Sequence, residues 1–342
     1  MTAGATTASG RPAKEREKAM RLEEIGFYTL SDERARTACA DSPLRRCELV
    51  LTERCNLKCP YCRGLPSDCV GDVGLAHGKE LISLWAGWEL DNIRFSGGEP
   101  MLHPHIGDFV SHASSNGIKR IAVSTNGTAS FGRYERLVSL GANDFSVSLD
   151  AGCCSIGDAM AGDIPGAWGK AAETIRRLSK LTYVTVGIVF TETNAAHAVE
   201  TVMFADSLGA ADIRIIPSAQ YNRAVASLLD LPRDVLDRHP ILRYRIRHMA
   251  EGRNVRGIGE DDSQRCAIAM DDVAVAGGWH FPCIIYLREH GAPIGPADRS
   301  MRARRREWFL SHDTHKDPIC SGNCIDCVVD YNNKWERFHG GM

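Results

Sequence analysis

The sequence predicts an α/β fold: a partial (β/α)6 barrel of the TIM type, followed by a small C-terminal domain of different texture. Two observations predict the barrel. Between Cys47 and Pro217, short apolar or alternating runs recur with longer amphipathic runs between them. That rhythm belongs to parallel strands with helices outside them. There are six such units, which suits an incomplete barrel better than a closed eight-stranded one. A third observation marks the tail: from residue 263 the chain becomes rich in cysteine and glycine, with short hairpin-like runs.

Strands are expected over 47–53, 92–96, 119–124, 144–149, 182–190 and 212–217. Helices are expected near 77–90, 105–116, 131–140, 166–180 and 195–209. Gly117, Gly141 and Gly209 fall where helices should stop. Residues 1–20 read as a disordered leader and 21–46 as a short helix and linker. Residues 218–262 read as a connection with one helix, 233–251, whose arginines form a solvated face. The basic run Arg299, Arg302, Arg304, Arg305 and Arg306 reads as another exposed face. Residues 263–342 form a small domain held by metal rather than by a large core.

A chain of 342 residues has room for one barrel-sized domain and a second small one. With 44% hydrophobic and 25% charged residues its balance is that of a globular protein. A formal net charge of -2 speaks against a general nucleic-acid or membrane-surface binder. No apolar run approaches the roughly 20 residues of a membrane span. The first twenty residues lack the apolar core of a signal peptide, so the expected location is cytoplasmic.

Thirteen cysteines are many for a chain with no export signal, and clustered thiols in a reducing compartment more often hold metal than form disulfides. Eight fall into two sets: Cys55, Cys59 and Cys62, and then Cys266, Cys283, Cys320, Cys324 and Cys327. The other five, Cys39, Cys47, Cys69, Cys153 and Cys154, read as small buried hydrophobes. The first set stands in the loop after the first strand, spaced C-x3-C-x2-C with Tyr61 before the last. Three thiolates on a four-iron cube leave one iron open, whereas a structural zinc site closes four ligands.

In parallel barrels the reactive groups gather where the strands end. The second strand ends in Ser96-Gly97-Gly98-Glu99-Pro100, where two glycines permit close approach to the backbone and Glu99 offers a carboxylate to an ammonium group. The third ends in Ser124-Thr125-Asn126-Gly127, the fourth in Ser148-Leu149-Asp150, small polar groups suited to a ribose or a carboxylate. Asn194, after the fifth strand, reads equally as a helix cap or as a ligand contact. Arg214 on the sixth strand is a candidate substrate contact.

The cysteine triplet with its aromatic residue, followed one strand later by Gly-Gly-Glu-Pro, resembles the radical S-adenosylmethionine (radical SAM) superfamily. The resemblance implies a [4Fe-4S] cluster on Cys55, Cys59 and Cys62. It also implies SAM bound through Tyr61, Ser96, Gly97, Gly98, Glu99, Pro100, Thr125, Asn126, Ser148, Asp150 and Asn194. It implies reductive SAM cleavage fed by a flavodoxin- or ferredoxin-type reductant, then hydrogen abstraction from a small-molecule substrate. Cys266, eleven residues, Gly278, four residues and Cys283 resemble the opening of the SPASM and twitch extensions of that superfamily. Those extensions hold auxiliary iron–sulfur clusters. Five tail cysteines suit the twitch form with one further [4Fe-4S] cluster, assigned to Cys266, Cys283, Cys324 and Cys327. Cys320 is then spare, a candidate hydrogen donor; the alternative takes Cys320 in place of Cys324.

Twitch enzymes of antibiotic biosynthesis act on sugars, aminocyclitols or sugar nucleosides by dehydrogenation, epimerisation or decarboxylation, and a substrate of that kind is the leading expectation. The alternatives are a peptide-modifying member, a molybdenum-cofactor-cyclase-like enzyme, and, from another class, a non-catalytic metal-binding protein.

Overall fold

A computed structural model describes residues 32–42 and 44–340. The expected leader, the residues that follow it up to 31, residue 43 and the last two residues lie outside the described residues. Six parallel strands lie in sequence order: β1 (Arg46–Val50), β2 (Asn92–Ser96), β3 (Arg120–Thr125), β4 (Asp144–Ser148), β5 (Tyr183–Phe190) and β6 (Asp212–Pro217). Helices α2 (Leu75–Ala86), α3 (Ile106–Ser115), α4 (Phe131–Ser139), α6 (Ala167–Leu178) and α7 (Ala198–Ser207) alternate with them; α1 is Asp32–Thr37. A short α5 (Cys154–Met160), not expected from the sequence, is inserted after β4. The result is an open, mostly parallel sheet, as a partial barrel requires.

Pleating sorts each strand by face. Cys47 and Leu49 of β1 are fully buried and join Trp85, Phe95, Phe109 and Phe145 in one core between sheet and helices. The alternate residues point the other way and are polar. Arg46 pairs with Asp272 at 2.9 Å, Ser96 donates to Glu48 at 2.7 Å, and Arg94 donates to Ser124 at 2.8 Å. All of these groups but the half-buried Ser124 are almost fully buried, which is tolerable because each is bonded to a polar neighbour.

The tail does not stand apart from the sheet. Strand β7 (Asp272–Ala276) lies parallel to β1, and β8 (Trp279–Phe281) and β9 (Gly295–Pro296) extend it antiparallel, giving the order 6-5-4-3-2-1-7-8-9. The rest of the tail is helical: α10 (Ile268–Asp271), α11 (Ile284–Arg288), α12 (Met301–Ser311), α13 (Pro318–Asn323) and α14 (Asp326–His339). Its hairpin texture is thus confined to residues 272–296.

The expected helix 233–251 is two helices, α8 (Arg233–Arg238) and α9 (Pro240–Ala250). Pro240 forces the break: the preceding residue avoids helical geometry, and His239 sits at φ −121° and ψ 85°. Its arginine face is not wholly solvated either. Arg245 is fully buried and paired with Asp326. Arg305, in the second basic run, is 2% exposed and donates to the carbonyls of Phe281 and Asp272.

Candidate functional site

Register carries the strand ends to one level. Val50 lies beside Ser96, Thr125 beside Val147, Ser148 beside Gly187 and Phe190 beside Pro217. Above them opens a cavity of about 710 Å³ whose lining includes Cys55, Cys59, Tyr61 and Cys62, Ser96, Gly97 and Gly98, Thr125 and Asn126, Ser148, Asp150 and Arg214. Twelve of the residues singled out from sequence therefore share one wall.

The cysteine loop is held from three sides. Within it, the Cys62 amide donates to the Cys59 carbonyl at 3.0 Å, and the Leu57 amide approaches Cys55 Sγ at 3.4 Å. From β2, the Gly98 and Glu99 amides donate to the carbonyls of Thr52 and Arg54, each at 2.7 Å. A Cβ on Gly98 would lie 2.3 Å from the Arg54 carbonyl oxygen, so only glycine fits the crossing. From α5, the Lys58 amide donates to the Ala161 carbonyl at 3.0 Å. Asn126 reaches over from β3, its Nδ2 2.9 Å from Asn56 Oδ1 and 3.9 Å from Cys55 Sγ.

Tyr61 turns its hydroxyl onto Asp150, whose other oxygen accepts the Val189 amide at 2.7 Å. Burial pushes Asp150 up to about 6, against the lowering effect of those two bonds. Burial likewise pushes the Cys59 thiol up to about 12 and raises Cys55. Such thiols ionise when a cation binds them, so loading the loop would release protons.

Three predicted contacts lie beneath the cavity rather than in it. Glu99 is 1% exposed, and its carboxylate accepts from the Met101 amide at 3.0 Å, Thr125 Oγ1 at 2.7 Å and the Asn126 amide at 2.7 Å. It fastens β2 to β3, and three donors occupy most of the lone pairs expected to meet an ammonium group. Pro100 is buried at the start of the turn that Glu99 caps. Asn194 is fully buried. Its Nδ2 donates to the carbonyls of Asp150 (2.7 Å) and Val189 (2.9 Å), and its Oδ1 accepts the Thr191 amide at 2.8 Å. This corrects its reading as a ligand contact: the amide is consumed in tying β4 to β5.

In the tail, four of the five cysteines share one pocket. Cys266, Cys283, Cys320 and Cys324 line one small, mostly apolar pocket with Tyr286, Trp308 and Ile319. Cys327 is elsewhere, 1% exposed against Ile241 and Tyr244, with Arg245 donating to its Sγ at 3.5 Å. Asp317 orients Cys320. Its carboxylate caps α13 by accepting the Ile319 and Cys320 amides at 2.8 and 3.0 Å, which sets Cys320 beside His312 (Sγ to Nε2 3.6 Å). Cys320 therefore lines the thiol pocket and not the strand-end cavity into which a hydrogen donor would have to reach. Cys47 and Cys69 are buried as expected, whereas Cys39, Cys153 and Cys154 are exposed.

Cys266 is buried and Cys283, Cys320 and Cys324 are half-buried. Sulfurs around tetrahedral zinc lie about 3.8 Å apart for Zn–S near 2.3 Å. Among the described residues, the only ligand-type group drawn within 4.8 Å is His312, Asp317 and Cys320. Neither cysteine set falls within that limit. Burial raises Cys266 to about 11 and Cys283 to about 12.

Sequence reasoning missed the tail side of the cavity: Ile284, Ile285, Arg288, Glu289 and Arg256. Nothing local marks these residues, since only folding of the tail across the strand ends brings them there. It also missed Glu48 and Ser146 on the floor, although polar residues at alternate positions of β1 and β4 were visible.

The radical SAM superfamily model matches residues 49–205. The GTP 3',8-cyclase of Chlorobaculum tepidum is 36% identical over 106 residues, 30% of this chain and 32% of that protein. The pre-heme d1 synthase of Dinoroseobacter shibae is 31% identical over 165 residues, 46% of this chain and 40% of that one. This chain thus spans about a third to two fifths of these relatives' lengths. Among solved structures, anSMEcpe with bound AdoMet superposes with a TM-score of 0.57 at 15% identity, covering 87% of this chain and 97% of that one. Streptococcus suis SuiB bound to S-adenosylmethionine gives 0.55 at 12%, covering 82% and 67%. At such identities the likeness is one of fold. Helices long and apolar enough to cross a membrane are absent among the described residues. The family match over the strand-end cavity and its three thiols shows that this chain carries a radical SAM superfamily domain.

Proposed function

We propose that this chain is a radical SAM enzyme acting on a small, hydroxyl-rich molecule, with a second iron–sulfur cluster in its tail. The observation that carries the reading is the meeting of Cys55, Cys59 and Cys62 with Gly97-Gly98 on the wall of one cavity. When bound there, a [4Fe-4S] cluster and SAM supply one-electron cleavage of the sulfonium and hydrogen abstraction from an unactivated C–H bond. The chain's own residues position and enclose. The glycine pair admits the ligand to the backbone, and Tyr61 and Asp150 set the far side of the cysteine loop. Ser124, Ser146, Ser148 and Arg214 offer a floor of hydroxyls and one guanidinium. That floor supports a carbohydrate-type intermediate, such as those of antibiotic biosynthesis. With Cys320 in the thiol pocket, dehydrogenation or decarboxylation is favoured over Cys320-dependent epimerisation.

Cys266, Cys283, Cys320 and Cys324 are the proposed ligands of the tail cluster. A second reading, a GTP 3',8-cyclase-like activity, is favoured by the 36% identity to that enzyme over 106 residues. Metal analysis after anaerobic reconstitution tests the two-cluster reading. About eight irons per chain support it, as two four-iron cubes require. Zinc in place of iron overturns it, and four irons remove the tail cluster. Incubation with SAM, dithionite and GTP separates the second reading, which requires GTP consumption.

A further inference from the structure

Helix α11, five residues long, runs from the tail thiol pocket to the strand-end cavity. At its start Cys283 is both a wall of the thiol pocket and the cap: its Sγ accepts the Tyr286 amide at 3.4 Å. At its end Arg288 lines the cavity and donates from one nitrogen to the Gly64 carbonyl at 3.0 Å and from another to the Gly97 carbonyl at 2.8 Å. Gly64 is two residues past Cys62, and Gly97 opens the glycine pair. One guanidinium therefore bridges the two backbone segments between which SAM must lie. The neighbouring residues reinforce the clamp: Glu289 pairs with Arg63 at 2.9 Å, and His290 Nε2 bonds the Arg63 carbonyl at 2.9 Å. At about 1.5 Å per residue, the helix spans some 7 Å.

We propose that Arg288 is a positioning residue for SAM, setting the Gly64 and Gly97 carbonyls against each other from a helix anchored in the tail thiol pocket. The inference rests on the proposed function, since it needs SAM at the strand ends and a group holding Cys283. The planar fork of arginine suits two carbonyls at once; a lysine ammonium is a point charge on a flexible stem and does not fix both.

The test uses the full chain reconstituted anaerobically, as wild type, Arg288→Lys, Arg288→Ala and Cys324→Ala. SAM affinity is read by titrating the electron paramagnetic resonance signal of the reduced protein, beside KM and kcat for 5′-deoxyadenosine formation. Arg288→Lys should retain full iron yet raise the SAM dissociation constant and KM about tenfold, the worth of one charge-assisted hydrogen bond. Guanidinium ion at sub-denaturing concentration should restore affinity to Arg288→Ala. Cys324→Ala should lose the tail iron and show the same SAM defect, because α11 loses its anchor. Wild-type affinity and an unchanged SAM-bound signal in Arg288→Lys overturn the positioning role. Lost tail iron with wild-type SAM affinity in Cys324→Ala overturns the anchoring. A wild-type chain that binds no SAM overturns the underlying reading and this inference together, a result distinct from either variant failing alone.

Discussion

Cys320 Sγ lies 3.6 Å from Nε2 of His312, while Cys327, seven residues on, lies under the Arg245 guanidinium at 3.5 Å. The two thiols therefore belong to different surroundings. Cys320→Ala should remove the tail iron, about half the total if two four-iron cubes are present. Cys327→Ala should keep it. Iron per chain in the two purified variants decides the assignment, and loss of iron from Cys327→Ala alone reverses it.

Glu99 is a brace between β2 and β3. Glu99→Gln puts an NH2 where one of three donors, from Met101, Thr125 or Asn126, now meets an oxygen. A buried donor left facing a donor costs about 1–3 kcal/mol. Urea unfolding of the apo-protein should therefore show Glu99→Gln destabilised by about 2 kcal/mol before any ligand is present. Apo-stability equal to wild type, with SAM affinity lost, would show a direct ligand contact instead.

How legible this site was in the sequence depended on distance along the chain. The cysteine triplet spans eight residues and the glycine pair follows one strand later, so local spacing and position at strand ends were enough to find both. The break at His239-Pro240 was also local, and proline chemistry explains it. The tail quartet was not legible in the same way. The proposed choice of Cys320 over Cys327 rests on the Asp317 cap and on Arg245 reaching from α9, some 80 residues earlier. Arg288 was hidden for the same reason, since its partners Gly64 and Gly97 are about 200 residues away. Glu99 and Asn194 had the right residue types for ligand contacts, but the backbone groups around them consume their polar atoms.

Gly162 presses on the cysteine loop from α5: at φ +84° a Cβ would stand 2.4 Å from the Lys58 carbonyl oxygen. Gly162→Ala is strained both by that contact and by its backbone conformation. The variant should fold with the tail iron intact and lose iron at Cys55, Cys59 and Cys62. Full iron with unchanged SAM affinity would show that the loop does not depend on α5.

Asp326 joins Arg245, fully buried, and His248, whose Nδ1 is 2.9 Å away. Removing one charge of a buried pair leaves the other uncompensated, at about 3–5 kcal/mol. Asp326→Asn should lower the urea midpoint accordingly, and a loss under about 1 kcal/mol would contradict the pairing.

His280 is fully buried, with Nδ1 donating to the Pro296 carbonyl at 2.9 Å. Burial, aided by Arg305, pushes its pKa down to about 4. An unfolded histidine takes its proton near pH 6.5, whereas the folded one resists until about 4. Stability is therefore lost as pH falls through that window, by about 2 kcal/mol at pH 5. His280→Asn keeps a donor for Pro296 and cannot titrate. Its melting temperature should fall less than wild type's between pH 7 and pH 5, and parallel curves would contradict the assignment.

The central claim is that three thiols and a glycine pair at the strand ends form a SAM-cleaving site. The measurement closest to it is chromatographic detection of 5′-deoxyadenosine from the reconstituted chain with SAM and dithionite. Dithionite-dependent product is expected from wild type and none from Cys59→Ala. Absence of product from an iron-loaded wild-type chain, or equal product from Cys59→Ala, would contradict it.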